Sequence, residues 1–192
     1  AMTPLRPQFQ LATQTPRTAS PQFSQCDGSE CTNVLFPADF TTIYNLAPVY
    51  GAGIQGQGQT IAVVGRARVY NDDILQFQAR SGLPGRLPST LIVPGGVDPG
   101  AAQSTCGAPG SSGCTNPSAT LLDQLEATLD VQRASATAPG ASVLLLSSAS
   151  TATTDGVQTA IEYAIGINPV PAHVLSISFG TCEADNDPAV AT

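Results

Sequence analysis

The sequence predicts an α/β protein built on a parallel sheet with helices on both faces. Short, nearly continuous apolar segments alternate with longer amphipathic segments from about residue 60 onward, and Gly-, Pro- and Ser-rich stretches separate them. The predicted order is strand, helix, strand, helix, strand, helix, strand. Strands that are apolar along their whole length are typical of sheets covered on both faces, and right-handed crossovers through the helices make such strands parallel.

Local signals place each element. The predicted strands comprise residues 60–64, 90–93, 142–146 and 174–179, and the predicted helices comprise residues 72–80, 118–133 and 154–165. The first helix follows Asn71, a residue type favoured at N-caps. In the second helix, Leu121, Leu122, Leu125 and Leu129 recur at helical spacing and are expected to form its buried stripe.

The composition divides the chain and excludes two classes of partner. Residues 1–38 are predicted to be an extended N-terminal segment, because the first 25 are rich in Pro, Gln, Thr and Ser without a hydrophobic period; residues 39–192 form the domain. All seven basic residues are Arg and the net charge is −7, so the sequence has no basic stretch of the kind that binds nucleic acid or an anionic membrane. The scarcity of charge and the absence of a membrane-spanning or signal pattern indicate a mature secreted protein, suited to an acidic extracellular environment.

The five cysteines form two close pairs and one remaining residue: Cys26 with Cys31, Cys106 with Cys114, and Cys182. Close pairs in Gly/Ser-rich loops are typical of local disulfides in an oxidising compartment, with reduced thiols as the alternative. Cys182 then has either a partner elsewhere or a reactive thiol. Zinc is disfavoured, because the spacing is not C-x-x-C and the single histidine, His173, lies far along the chain. We therefore expect no metal site.

Glu126 and Asp130 are the strongest candidates for chemistry. They are four residues apart on the predicted helix of residues 118–133, so their side chains share a face at the edge of the leucine stripe. Two partly desolvated carboxyl groups in contact cannot both ionise easily, so the pair is expected to share a proton and to act as a base in acid. The alternative is a solvated helix face, on which Asp123 is an ordinary surface charge and Arg133 neutralises Asp130.

Other polar residues favour structural roles. His173 precedes an apolar strand and has no motif around it. Ser176 and Ser178 are explained by alternation in a strand, and neither lies in a Gly-x-Ser-x-Gly elbow. The glycine-rich residues 51–58 precede a strand, whereas a phosphate-binding loop follows one.

Three segments between Asp39 and Asp187 resemble the sedolisin family, the kumamolisin-like serine-carboxyl peptidases related to the subtilisins. Residues 38–40, 44–46 and 56–64 are similar to the start of the mature enzymes. Residues 126–131 match the family's Glu-x-x-x-Leu-Asp stretch, and residues 138–141 match the Ala-Pro-x-Ala turn that follows it. Residues 174–180, followed by Glu183, resemble the Ser-x-Ser-Trp-Gly-x-x-Glu strand, with Phe179 in place of the tryptophan.

The resemblance implies a subtilisin-like sheet, incomplete in this chain, and a peptidase mechanism. Glu126 would take the proton of the nucleophilic serine and Asp130 would orient Glu126. Ser178, Phe179 and Gly180 would offer backbone groups to an extended peptide. Some family members place a further carboxylate where this chain has Gly65 and Arg66, so the proton network is expected to differ there. Both endopeptidase and tripeptidyl peptidase activity remain open.

The family's serine nucleophile, oxyanion aspartate and calcium loop all come after the position of Thr192. By the resemblance, calcium belongs to that missing C-terminal part, and this chain alone is expected to be inactive. The first hypothesis is that a C-terminal chain of the same peptidase completes the site and pairs with Cys182. The alternatives are a non-catalytic sedolisin-like module that binds peptides or proteins, and a functionless fragment whose exposed sheet is covered by self-association.

Overall fold

The computed structural model describes residues 23–102, 119–167 and 171–180. Its strands are β1 (Phe23–Asp27), β2 (Glu30–Val34), β3 (Thr60–Gly65), β4 (Ser89–Ile92), β5 (Ser142–Ser147) and β6 (Val174–Ser176). Its helices are α1 (Pro37–Ile43), α2 (Ala47–Gly51), α3 (Asn71–Arg80), α4 (Ala119–Thr137) and α5 (Gly156–Gly166). The predicted alternation of strands and helices from β3 to β6 is confirmed.

The main sheet has four parallel strands in the order β4-β5-β3-β6. The central pair is in register from Thr60 opposite Ser142 to Gly65 opposite Ser147. Because all four strands run in one direction, their carboxyl ends meet at one edge, where ligands bind in open α/β sheets. The predicted fold class, an α/β sheet with helices on both faces, is the observed one, and it is consistent with an incomplete subtilisin-like fold.

The two faces of the sheet carry separate apolar cores. On one face, Val63 and Leu145 pack with Ile74 of α3 and Val131 of α4. On the other face, the alternate residues of the same strands, among them Val64 and Leu146, pack against Ala160 and Ala164 of α5. Both sides of β3 and β5 are therefore buried, which explains their continuously apolar sequences.

The buried stripe of α4 differs from the prediction. Leu122, Leu125 and Leu129 are 54%, 44% and 47% exposed, whereas the buried residues among the described side chains of this helix are Gln124, Ala127, Thr128, Val131 and Ala136. The physical reason is close approach of the helix to the sheet: a Cβ atom added at Gly65 of β3 would lie 3.3 Å from the Cβ of Ala127. Small and β-branched residues fit that contact, and leucines do not.

Element boundaries shift at several points. Strand β6 ends at Ser176 instead of continuing to Phe179. Asn71 is the first residue of α3, and the N-cap position belongs to Tyr70, which makes no side-chain capping bond. Helix α5 is capped by Asp155, whose side chain accepts hydrogen bonds from the backbone nitrogens of Val157 and Gln158.

The part of the N-terminal segment that the structure describes is not simply extended. Residues 23–34 pair as an antiparallel hairpin closed by the Cys26–Cys31 disulfide, with an S–S distance of 2.02 Å. The prediction of that disulfide is confirmed in the structure. The second predicted pair, Cys106 with Cys114, and also Cys182 lie outside the described residues. In the described ranges no helix has the length and apolar character needed to cross a membrane.

Candidate functional site

Asp130 is held against the segment that follows β6. Helix α4 runs antiparallel to the sheet and carries Asp130 on its middle turns, and Ser178 lies two residues beyond the end of β6. The Ser178 hydroxyl donates a hydrogen bond to Asp130 Oδ1 over 2.8 Å. This hydrogen bond joins two positions 48 residues apart in the sequence. It brings together Asp130, the predicted catalytic residue, and Ser178, a predicted substrate-binding residue.

The surroundings of Asp130 favour its neutral form. The side chain is half-buried, and Oδ2 is shielded from solvent with no hydrogen-bond partner among the described residues. Desolvation raises the pKa of Asp130 above its ordinary value, and the hydrogen bond from Ser178 offsets part of that rise. Asp130 is therefore a carboxyl group that retains its proton to higher pH than a solvated aspartate does.

Glu126 lies one helical turn from Asp130, toward the amino end of α4. Its side chain is partly exposed and makes no hydrogen bond or ion pair with any residue that the structure describes. The expected proton-sharing contact between the two carboxyl groups is therefore not formed here, because Asp130 bonds to Ser178 instead. Within the described chain, Asp130 is therefore oriented by Ser178 and not by Glu126.

The alternative pairing of Asp130 with Arg133 is also wrong. Arg133 donates instead to the backbone oxygen of Leu35, over 3.2 Å. Asp123, expected to be an ordinary surface charge, forms a partly buried ion pair with Arg66, which follows β3. Neither arginine neutralises Asp130, so no cation among the described residues offsets its desolvation.

Arg66 is the site residue whose contacts the sequence did not predict. Its guanidinium lies 4.8 Å from the centroid of the Phe179 ring while it pairs with Asp123. In the sequence comparison with the sedolisin pattern, Gly65 and Arg66 stand where some members have a carboxylate, and Phe179 stands where the pattern has a tryptophan. Two of the positions that depart from that pattern, Arg66 and Phe179, therefore contact each other. The signal was present in the sequence as two separate substitutions, but their contact depends on the sheet bringing β3 beside β6.

An open groove of about 800 Å³ lies beside this cluster. Its lining comprises Phe179 and Gly180, residues 150–155, the start of α5, and Arg66. Ser178 faces Asp130 rather than the groove lining. The three residues predicted to contact substrate thus divide between the carboxyl group and the groove.

The remaining polar candidates have structural positions. The backbone nitrogen of His173 donates to the Thr60 oxygen over 3.0 Å, and its Nδ1 accepts from the Thr60 nitrogen at 3.4 Å. His173 therefore lies at the amino ends of the strands, away from Asp130. Ser176 pairs with Val63 within the sheet. Within the described part of the chain, no cluster of three or more His, Cys, Asp or Glu residues could hold a metal ion.

No protein-family model matches this chain, and a search of curated proteins finds no match. The resemblance to sedolisins therefore depends on the residue patterns alone.

Proposed function

We propose that this chain supplies the acid–base half of a serine-carboxyl peptidase site that hydrolyses peptide bonds in an acidic extracellular environment. The observation that carries the proposal is the partly desolvated Asp130, held by Ser178 one helical turn from Glu126, which bonds to none of the described residues. Perturbed carboxyl groups near the carboxyl ends of a parallel sheet are candidates for catalysis.

In the proposed reaction, Glu126 is the general base. It accepts the hydroxyl proton of a serine supplied by a C-terminal chain, while the serine oxygen attacks the carbonyl carbon of the scissile bond. Glu126 then passes the proton to the leaving amine nitrogen, and water hydrolyses the acyl-enzyme by the same steps in reverse roles. By the resemblance, Asp130 would orient Glu126, a role that requires the two carboxyl groups to come into contact in the complete site. A carboxylate base suits acidic conditions, because no imidazole has to stay neutral.

Substrate binding is assigned to the groove beside Phe179. An extended peptide laid along residues 178–180 would pair with their backbone groups, which are exposed or partly exposed beyond the end of β6. The Phe179 ring, fixed by Arg66, would form an apolar wall for one substrate side chain. The serine, the oxyanion aspartate and the calcium site are assigned to the C-terminal chain, as is the partner of Cys182.

The test uses the complete secreted gene product and a denatured protein substrate at acidic pH. Glu126→Gln and Asp130→Asn are each expected to lower kcat/KM by at least about a hundredfold, the usual contribution of general acid–base catalysis. Glu162→Gln is the matched control, since Glu162 lies exposed on α5 and bonds only to Gln158. Full activity in either site variant, or an inactive complete protein, would end the proposal.

A second measurement addresses the partner chain. The mass of the purified protein without reducing agent should exceed its mass after reduction by the mass of one further polypeptide. That polypeptide should contain the Gly-Thr-Ser nucleophile motif. A non-catalytic peptide-binding module is the competing function, and the free outer edge of β6 in the described sheet favours it. A complete gene product that lacks the motif and still binds extended peptides would decide for that alternative.

A further inference from the structure

A second cavity lies at the amino ends of the sheet strands, at the opposite edge from Ser178. It has a volume of about 420 Å³ and is lined by the first residues of two strands, Ser89 of β4 and Ser142 of β5. Those residues mark the amino ends of the strands, whereas Ser178 follows a carboxyl end. The cavity therefore cannot belong to the proposed peptidase site. Its size falls within the range of small-molecule sites.

The cavity wall is mixed: eight of its thirteen lining residues are apolar, and the others are Gln78, Arg86 and three serines. Leu83 and Leu87 of the loop between α3 and β4 form one side, and Val131, Pro139 and Val143 form the other. Val131 is buried, so the cavity reaches the apolar core beneath α4. Such a wall favours a ligand with a compact hydrocarbon body.

Arg86 is fixed at this cavity by a buried glutamine. Gln78 of α3 is only 1% exposed. Its Oε1 accepts from the Arg86 backbone nitrogen over 2.9 Å, and its Nε2 donates to the Arg86 backbone oxygen over 2.6 Å. The oxygen and the nitrogen of the buried side-chain amide are thus both used to hold one residue of an exposed loop. The clamp acts on the backbone, so it positions the arginine side chain without using its charge.

The guanidinium of Arg86 has donors to spare. Its one contact within the described chain is a long hydrogen bond of 3.5 Å to the Gly140 oxygen. No Asp or Glu is among the described residues that line the cavity. An arginine stays charged at all relevant pH values and its donors match the two oxygens of a carboxylate. A cation beside apolar walls, with no acidic neighbour, is complementary to an apolar anion.

We propose that this cavity, the Arg86 pocket, binds a small monocarboxylate with a short branched hydrocarbon tail. The tail occupies the space between Leu83, Leu87 and Val143, and the carboxylate pairs with the Arg86 guanidinium at the rim. A phosphate or sulfate ion fits less well, because it offers nothing to the apolar walls and finds only one cation.

The experiment measures binding of 4-methylpentanoate to the full chain at about pH 6.5, where the carboxyl group is ionised. The uncharged analogue 4-methylpentanamide has the same shape and tests the role of charge. We expect saturable binding of the carboxylate in calorimetry, at least about tenfold tighter than that of the amide, as is usual for a hydrogen-bonded charge pair. Equal binding of the two compounds, or no saturation at about 10 mM, would overturn the proposal.

Two variants locate the site. Arg86→Gln keeps the backbone clamp and should remove the preference for the carboxylate, whereas Arg80→Gln, at an exposed position outside the pocket, should change binding by less than about twofold. Ser135→Leu should fill the pocket and abolish binding, because Ser135 lines it and its hydroxyl bonds only to the helix backbone. Unchanged binding in Arg86→Gln, or in a folded Ser135→Leu variant, would refute the assignment.

Discussion

Replacing Ser178 by alanine tests the electrostatic reasoning at the site directly. The change removes one hydroxyl group, which donates over 2.8 Å to Asp130 Oδ1. Asp130 Oδ2 already lacks a partner among the described residues, so the carboxyl group would lose the one described hydrogen bond that favours its charged form. We therefore expect the pKa of Asp130 to rise further in the variant, because desolvation then acts unopposed.

The cost to stability should depend on pH. A hydrogen bond to a charged group contributes about 1.5–3 kcal/mol, and the exposure of Ser178 reduces this to about 1 kcal/mol. The folded pKa of Asp130 lies above the unfolded value, so its contribution to stability is fully present below the unfolded pKa of about 3.9. It is lost as pH rises through the folded pKa. The variant enlarges that loss, so it should match the wild type near about pH 3 and be about 1 kcal/mol less stable at pH 7.

Urea denaturation at both pH values measures the difference, and an NMR titration of the Asp130 carboxyl carbon measures the pKa. Ser142→Ala is the matched control, since Ser142 is exposed and makes no side-chain hydrogen bond with the described chain. In an Asp130→Asn background the pH dependence of the Ser178→Ala effect should disappear. An equal loss of stability at both pH values, or a fall in the pKa, would refute the reasoning.

Two further substitutions test the packing of the fold. Gly156→Ala should destabilise the protein by at least about 2 kcal/mol, because the new Cβ would overlap the backbone oxygen of Ser148. Gly166→Ala, at the far end of the same helix, places its Cβ where nothing lies within 4 Å and should be neutral or mildly stabilising. Thermal unfolding measures both variants, and equal effects would contradict the packing. Replacing Cys26 and Cys31 together by serine should leave the unfolding midpoint of the α/β core almost unchanged, because the hairpin strands pair with each other and their described side chains are exposed. Hydrogen exchange should show lost protection in the hairpin alone, and core amides that exchange faster would disprove this independence.

The fold class could be predicted because the relevant information is local. Strands β3 and β5 are buried on both faces, so nearly all of their residues are apolar and each strand appears in the sequence as an apolar run. The hairpin of β1 and β2 was not predicted, since neither strand carries a hydrophobic period and β2 is exposed along its length. Only its Cys26–Cys31 link was visible from the spacing, and that crosslink holds together a pair of strands that bury little apolar surface.

The orientation of α4 shows where periodicity misleads. The leucines at 122, 125 and 129 mark a helix correctly but lie on its exposed side. The face of α4 that packs on the sheet depends on the distance between the helix and the sheet. That distance is short at Gly65, because the missing side chain lets Ala127 approach. A pattern of large apolar residues cannot report a close contact made by small ones.

The candidate site combines a local signal with contacts that only the folded chain creates. The spacing of Glu126 and Asp130 is visible in the sequence, yet the partner of Asp130 comes from beyond β6. The charge arrangement is consistent with the raised pKa of Asp130: Arg66 pairs with Asp123 and lies against the ring of Phe179. An arginine paired with Asp130 would lower the pKa of that carboxyl group. Because Arg66 pairs with a different aspartate, desolvation of Asp130 is opposed only by the hydrogen bond from Ser178 among the described contacts.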